Sequence, residues 1–100
     1  MLIVNGNLEL NPDNIAAAPE AISAMVAETV KEDGCQTYEF SQVIGTASIF
    51  RIYEEWDDAA ALAAHAKTPH MAIFRAAVAE IGVVSRALWT IEAGKKTPLG

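Results

Sequence analysis

The chain has 100 residues, of which 52% are apolar, and seven Lys and Arg against thirteen Asp and Glu give a net charge of −6. This length and composition predict one folded domain, and a chain so acidic lacks the basic face that a nucleic-acid partner requires. The single cysteine, Cys35, excludes an internal disulfide and a paired-thiolate zinc site. Because no basic region precedes a long apolar run, we expect a cytoplasmic protein that does not contact a membrane.

The first half of the chain predicts a strand and then a helix. Apolar residues alternate with a period of two over 2–10, which is typical of a strand. Asn11 and Pro12 supply turn and helix-start chemistry, and apolar residues then recur every three or four positions. Pro19 starts or kinks the main helical segment, and Gly34 ends it.

The second half predicts a hairpin, two helices and a last strand. Two alternating stretches, 35–44 and 49–56, flank a short turn and should pair as antiparallel strands. Asp58 can cap the next helix, and Thr68 followed by Pro69 fits the start of another. A last strand, 83–92, precedes a polar tail, 93–100.

This order of elements predicts an α+β fold, a ferredoxin-like split βαβ domain over residues 1–92 with a four-stranded antiparallel sheet and helices on one face. The third and fourth strands carry large apolar groups on both faces. Because helices cover only one face, we expect a homodimer in which a second copy covers the other, sheet against sheet.

The candidate catalytic residues are His65 and Glu54. Histidine changes charge near neutral pH, and both histidines of the chain, His65 and His70, lie near one predicted helix junction. Glu54 shares a strand face with apolar side chains, so it should either pair with a cation or have a raised pKa. The structural alternatives are an imidazole bonded to a backbone carbonyl, a solvated His70, and a Glu54 that caps a helix or meets Arg75 or Arg86.

No metal site is predicted. Two imidazoles and Glu54 are ligand types that iron and zinc accept. However, five residues across a helix break match neither the four-residue helical pair of histidines nor a zinc-finger spacing.

The aromatic and sulfur-containing residues near these groups have two interpretations. Tyr38, Phe40, Met71 and Phe74 are typical of a core, but with His65 they could also line an apolar pocket. Cys35 is interpreted as a small buried hydrophobe rather than a nucleophile.

The chain resembles the antibiotic biosynthesis monooxygenase (ABM) domain family over nearly its whole length, most densely from 33 to 74. The residues that carry this resemblance are Asp33, Gly34, Cys35, Tyr38, Phe40, Ser41, Tyr53, Glu54, Trp56, Ala61, Leu62, His65, Thr68, Pro69, His70 and Phe74.

The resemblance implies a dimeric α/β barrel with a pocket between sheet and helices. Activities in the family include cofactor-independent oxidation of phenols or quinols by O₂, haem degradation and isomerisation of a small phosphorylated sugar. The haem-degrading pattern fits poorly, because His65 stands where a Trp is expected and Arg75 where a His is expected.

We therefore expect a cofactor-independent monooxygenase that oxidises a quinol, anthrone or similar electron-rich aromatic with O₂. His65 would take the substrate proton, and Glu54 would orient or charge-stabilise His65. The substrate would contact Trp56, Tyr38, Phe74, His70 and Met71. An isomerase of a small hydroxyketone and a non-catalytic ligand-binding dimer are the alternatives.

Overall fold

The computed structural model describes all 100 residues, and its elements follow the predicted order. They are β1 (Leu2–Leu10), α1 (Ala18–Thr29), β2 (Cys35–Gln42), β3 (Ile49–Trp56), α2 (Ala59–His65), α3 (Pro69–Ile81) and β4 (Val83–Glu92). A 3-10 helix, Pro12–Ala17, leads into α1. The fold is the predicted α+β ferredoxin-like arrangement.

Local sequence signals set most of the helix boundaries. The side chain of Asp58 accepts a hydrogen bond from the backbone N–H of Ala61 at the start of α2, and Thr68 caps α3 in the same way. Two ends come earlier than predicted. Helix α1 stops at Thr29, because a turn intervenes before Gly34, and β2 stops at Gln42, because Ile44 lies in the exposed hairpin turn.

The four strands form one antiparallel sheet in the order β2-β3-β1-β4. Glu54 on β3 pairs with Tyr38 on β2 and with Val4 on β1, so these three side chains form one row on the face that the helices cover. At the centre of β1 a Cβ on Gly6 would collide with the backbone carbonyl of Ala87 on β4. Glycine at this position therefore allows β1 and β4 to pair closely.

Every residue of β4 is exposed. Its large apolar side chains are 39–61% exposed: Val83, Val84, Leu88, Trp89 and Ile91. A single chain thus leaves an apolar strand uncovered. The dimer prediction depended on such an uncovered surface, and the dimer itself remains a prediction. None of the helices is long and apolar enough to cross a membrane.

Candidate active site

Two imidazoles and one carboxylate converge at one end of the helical layer. Nδ1 of His65 and Nε2 of His70 each lie 2.7 Å from the same oxygen, Oε2 of Glu32. His65 is 3% exposed, and the side chains of Glu32 and His70 are only 14% and 18% exposed. We call these three residues the His–Glu cluster.

Turns rather than regular elements bring the cluster together. Thr68 donates its hydroxyl hydrogen bond to the carbonyl of His65 while it caps α3, so it fixes the bend between α2 and α3. On the other side Gly34 has φ +82°, and a Cβ there would lie 2.6 Å from the Cβ of Ala61. This close approach, which favours glycine, carries the α1–β2 turn and Glu32 toward α2.

The ring of His65 is held by aromatic neighbours as well as by Glu32. Its centroid lies 4.9 Å from that of Trp56 and 5.2 Å from that of Tyr38. Since the carboxylate is an acceptor, Nδ1 of His65 is the donor, and in the neutral ring Nε2 therefore carries the lone pair. Nε2 has no hydrogen-bond partner, yet no buried side-chain nitrogen or oxygen is left unpaired, so Nε2 reaches accessible space.

His65 also borders an apolar cavity of about 510 Å³ between the sheet and helices α2 and α3. Its volume is within the range of small-molecule sites. Fourteen of its 19 lining residues are hydrophobic, and its aromatic residues besides His65 are Tyr38, Phe40, Phe74 and Trp89. Phe40 and Phe74 meet edge to face at 5.8 Å.

Glu54 is a second acid-base group on the cavity wall. It is 6% exposed, and its Oε1 accepts a 2.9 Å hydrogen bond from Nε1 of Trp56. Burial raises the pKa of Glu54 to about 7, against a smaller lowering by the Trp56 hydrogen bond and a further increase from the charge of Glu32. This carboxyl therefore exchanges protons near neutral pH, which is one of the two outcomes that the strand pattern left open.

Two other groups stay protonated at neutral pH. Burial, and then the charges of Glu54 and Glu32, raise the pKa of the Tyr38 hydroxyl well above its ordinary value. The same three causes, burial first and then Glu32 and Glu54, raise the pKa of the Cys35 thiol. Tyr38 is therefore a hydrogen-bond donor on the cavity, whereas Cys35 lacks the thiolate character of a nucleophile.

The structure separates the predicted site residues into two sets. His65, Glu54, Tyr38, Met71 and Phe74 border the cavity. Trp56 is fully buried behind His65 and Glu54, and His70 lies on the far side of Glu32, so neither belongs to the cavity wall. These two positions do not support the predicted contacts of Trp56 and His70 with a substrate.

The main correction concerns Glu32. The carboxylate that holds His65 is Glu32 and not Glu54, which bonds Trp56 instead. Sequence reasoning missed Glu32 because it lies in a polar turn, between Lys31 and Asp33, that resembles an ordinary solvated turn. The spacing argument against a metal site also fails, since five residues across the helix break do not keep the two imidazoles apart.

The chain is thus a small α+β domain with helices on one face of its sheet and an acid-base pair beside an apolar cavity. The family model for antibiotic biosynthesis monooxygenase matches residues 1–77. The chain belongs to the antibiotic biosynthesis monooxygenase family.

Solved structures show the same architecture. A candidate antibiotic biosynthesis monooxygenase from Deinococcus radiodurans is 25% identical with a TM-score of 0.89, covering 100% of this chain and 99% of its own. A conserved protein of unknown function from Bacteroides thetaiotaomicron, described as a possible oxidoreductase, is 30% identical with a TM-score of 0.81, covering 92% of this chain and 96% of its own. A candidate monooxygenase of the same type from Nitrosomonas europaea is 21% identical with a TM-score of 0.86, covering 93% and 98%. No curated protein matches the sequence.

Family membership and these neighbours support a monooxygenase-type role in general terms.

Proposed function

We propose that the protein is a cofactor-independent monooxygenase that oxidises a quinol, anthrone or similar electron-rich aromatic with O₂. The observation that carries this proposal is the orientation of His65. Glu32 holds its Nδ1 at 2.7 Å, its Nε2 reaches accessible space, and the residue borders an apolar cavity. A carboxylate on one ring nitrogen fixes the tautomer that leaves the other nitrogen free to accept a proton.

The reaction begins when Nε2 of His65 removes a proton from the ring carbon or hydroxyl of the bound aromatic. The resulting anion is electron-rich enough to give an electron to O₂, and the two then combine at the ring carbon. For an anthrone, one oxygen atom becomes the new carbonyl and the other leaves as water. Each step uses the substrate's own electrons, so this chain's residues need only bind, orient and move protons.

Five residues divide these tasks, and four of them line the cavity. Phe74 and Phe40 offer flat apolar surfaces for the ring, and the Tyr38 hydroxyl donates a hydrogen bond to a substrate oxygen. Glu32 takes the orienting role that was predicted for Glu54. Burial raises the pKa of Glu54 to about 7, so below that pH this carboxyl is uncharged and does not repel the anion that forms.

The test is O₂ uptake with a panel of quinols and anthrones in the presence of a chelator. For the substrate that turns over, His65→Ala should lower kcat by about 10²–10⁴-fold, the usual contribution of a general base. His70→Ala is the matched control, because this imidazole does not border the cavity, and it should lose much less.

Three results would count against the proposal. If His65→Ala turned over as fast as wild type, His65 would not be the base. Product formation without O₂ uptake would favour an isomerase of a small hydroxyketone, which needs only a shuttled proton. Ligand binding without turnover across the panel would favour a non-catalytic binding protein.

We also propose that the working unit is a homodimer built through the sheet. Trp89 and Ile91 are 61% and 45% exposed on β4, and apolar strands left in solvent on this scale are unusual for monomers. Sedimentation velocity should give a dimer for the wild type and a monomer for Trp89→Asp. A monomeric wild type at micromolar concentration would contradict this assembly.

A further inference from the structure

We propose that the His–Glu cluster is a binding site for a borderline divalent metal ion of the zinc type. Its ligand atoms, Oε2 of Glu32, Nδ1 of His65 and Nε2 of His70, all lie within 4.8 Å of one another. Two imidazoles and one carboxylate form a donor set that zinc and neighbouring transition metals accept, whereas Mg²⁺ and Ca²⁺ prefer oxygen ligands alone.

The three ligand atoms have to shift before they can accept an ion. Ligands at the usual zinc distances stand about 3.3 Å apart in a tetrahedron. Each imidazole nitrogen now lies 2.7 Å from the Glu32 oxygen, and the two nitrogens lie within 4.8 Å of each other. A metal that replaces the two N–H protons therefore has to widen each nitrogen–oxygen pair by roughly 0.6 Å and bring the two nitrogens closer by up to roughly 1.5 Å. Glu32 lies in the α1–β2 turn, His65 ends α2 and His70 lies in the first turn of α3, so such shifts disturb no strand pairing.

The position of the cluster shows how the ion would enter and what it would do. Glu32 and His70 are partly exposed but do not border the cavity, so the ion reaches the cluster from the outer surface and lies behind His65. It is therefore separated from the proposed reaction space. Such an ion would join the α1–β2 turn to helices α2 and α3.

Metal binding would also change the tautomer of His65. An ion on Nδ1 moves the ring proton to Nε2, the nitrogen that reaches accessible space, and converts a proton acceptor into a donor. The occupied cluster would then lack a base. This consequence rests on the proposed function, whereas metal binding itself does not.

The test uses Co²⁺ and Zn²⁺ with the full chain after treatment with a chelator. Wild type should take up one equivalent of Co²⁺ with visible absorption bands, Zn²⁺ should displace it, and excess Zn²⁺ should raise the Tm. Zn²⁺ should also shift the ring resonances of both histidines in the NMR spectrum, which are easily assigned because the chain has only two.

Matched carboxylate variants make the test specific. Glu32→Gln and His70→Ala should each weaken Co²⁺ binding by more than about tenfold, at least the effect of losing an outer-shell partner. Glu28→Gln, which removes the same charge from a 54% exposed side chain one turn earlier, should bind like wild type. If wild type gives neither bands nor shifted histidine resonances, or if Glu28→Gln and Glu32→Gln weaken binding equally, the cluster is a hydrogen-bonded group only and the proposal is wrong.

The regulatory consequence is measured separately. Zn²⁺ should inhibit O₂ uptake by the wild type, a chelator should restore it, and His70→Ala should be less sensitive. Metal binding without inhibition would remove the link to His65 while leaving the site intact. Absence of oxygenase activity would leave the spectroscopic result unaffected.

Discussion

Replacing Glu54 by Gln should change stability in a way that depends on pH. The folded state holds the Glu54 proton up to about pH 7, compared with an ordinary pKa of 4.5. Between these values the folded state binds more protons than the unfolded state, so wild-type stability falls as pH rises through this window. Gln keeps the acceptor oxygen for Trp56 and cannot ionise.

The size of the effect follows from the two pKa values. The quantity to follow is the free energy of unfolding of Glu54→Gln minus that of wild type. Compared with its value at low pH, this difference should be larger by about 1 kcal/mol at pH 5 and by about 3 kcal/mol at pH 7, and it should level off above pH 8. Urea unfolding at a series of pH values, in a chelator, measures this difference. Contributions from the histidines cancel because both proteins contain them.

The neighbouring carboxylate supplies the control. Glu55 accepts hydrogen bonds from Tyr53 and Thr37 and pairs with Lys96, and these contacts, led by Lys96, lower its pKa. Its contribution to stability is present above its unfolded pKa and is lost as pH falls. Glu55→Gln should therefore be less stable than wild type at neutral pH, with the difference shrinking in acid. If the difference in free energy of unfolding between Glu54→Gln and wild type did not change from pH 4 to pH 8, the claim that burial raises the pKa of Glu54 would be refuted.

Two glycine substitutions test how the backbone positions the site. Gly34 has φ +82° and faces the Cβ of Ala61, so Gly34→Ala should lower the free energy of unfolding by about 1–3 kcal/mol and raise the exchange rate of the His65 ring proton. Gly94→Ala is the control and should do neither, because a Cβ at Gly94 meets nothing within 4 Å. Gly6→Ala should cost about 1–3 kcal/mol because its Cβ collides with the Ala87 carbonyl. Urea unfolding measures both, and wild-type stability for either variant would show that the backbone adjusts at no cost.

The fold was largely predictable because its signals are local. Alternation on β3 placed Phe50, Ile52, Glu54 and Trp56 on one face, and all four are buried there. The caps Asp58 and Thr68 act within three residues of themselves, so the starts of α2 and α3 needed no tertiary information. Such patterns depend on the period of an element and not on its neighbours.

The partner of His65 was not predictable for the opposite reason. Glu32 lies 33 residues from His65 and 38 from His70, on a turn whose approach to α2 depends on Gly34. Glu54 was the more attractive partner in sequence, since it lies among apolar residues on a strand. The structure uses it differently, because the indole of Trp56, two residues away on the same face, reaches its carboxyl first.

The division between the two carboxylates has a kinetic consequence. Proton removal by His65 creates an anion in an apolar cavity, and an ionised Glu54 on the same wall would repel it. Turnover should therefore fall as pH rises through about 7, where Glu54 loses its proton. Glu54→Gln stays neutral and should keep its activity to higher pH, while Glu32→Gln should lose activity at every pH because His65 is no longer oriented. Measuring kcat/KM against pH for wild type, Glu54→Gln and Glu32→Gln tests both expectations. If Glu54→Gln declines at the same pH as wild type, the group that limits turnover in base is not Glu54, and its raised pKa has no role in the reaction.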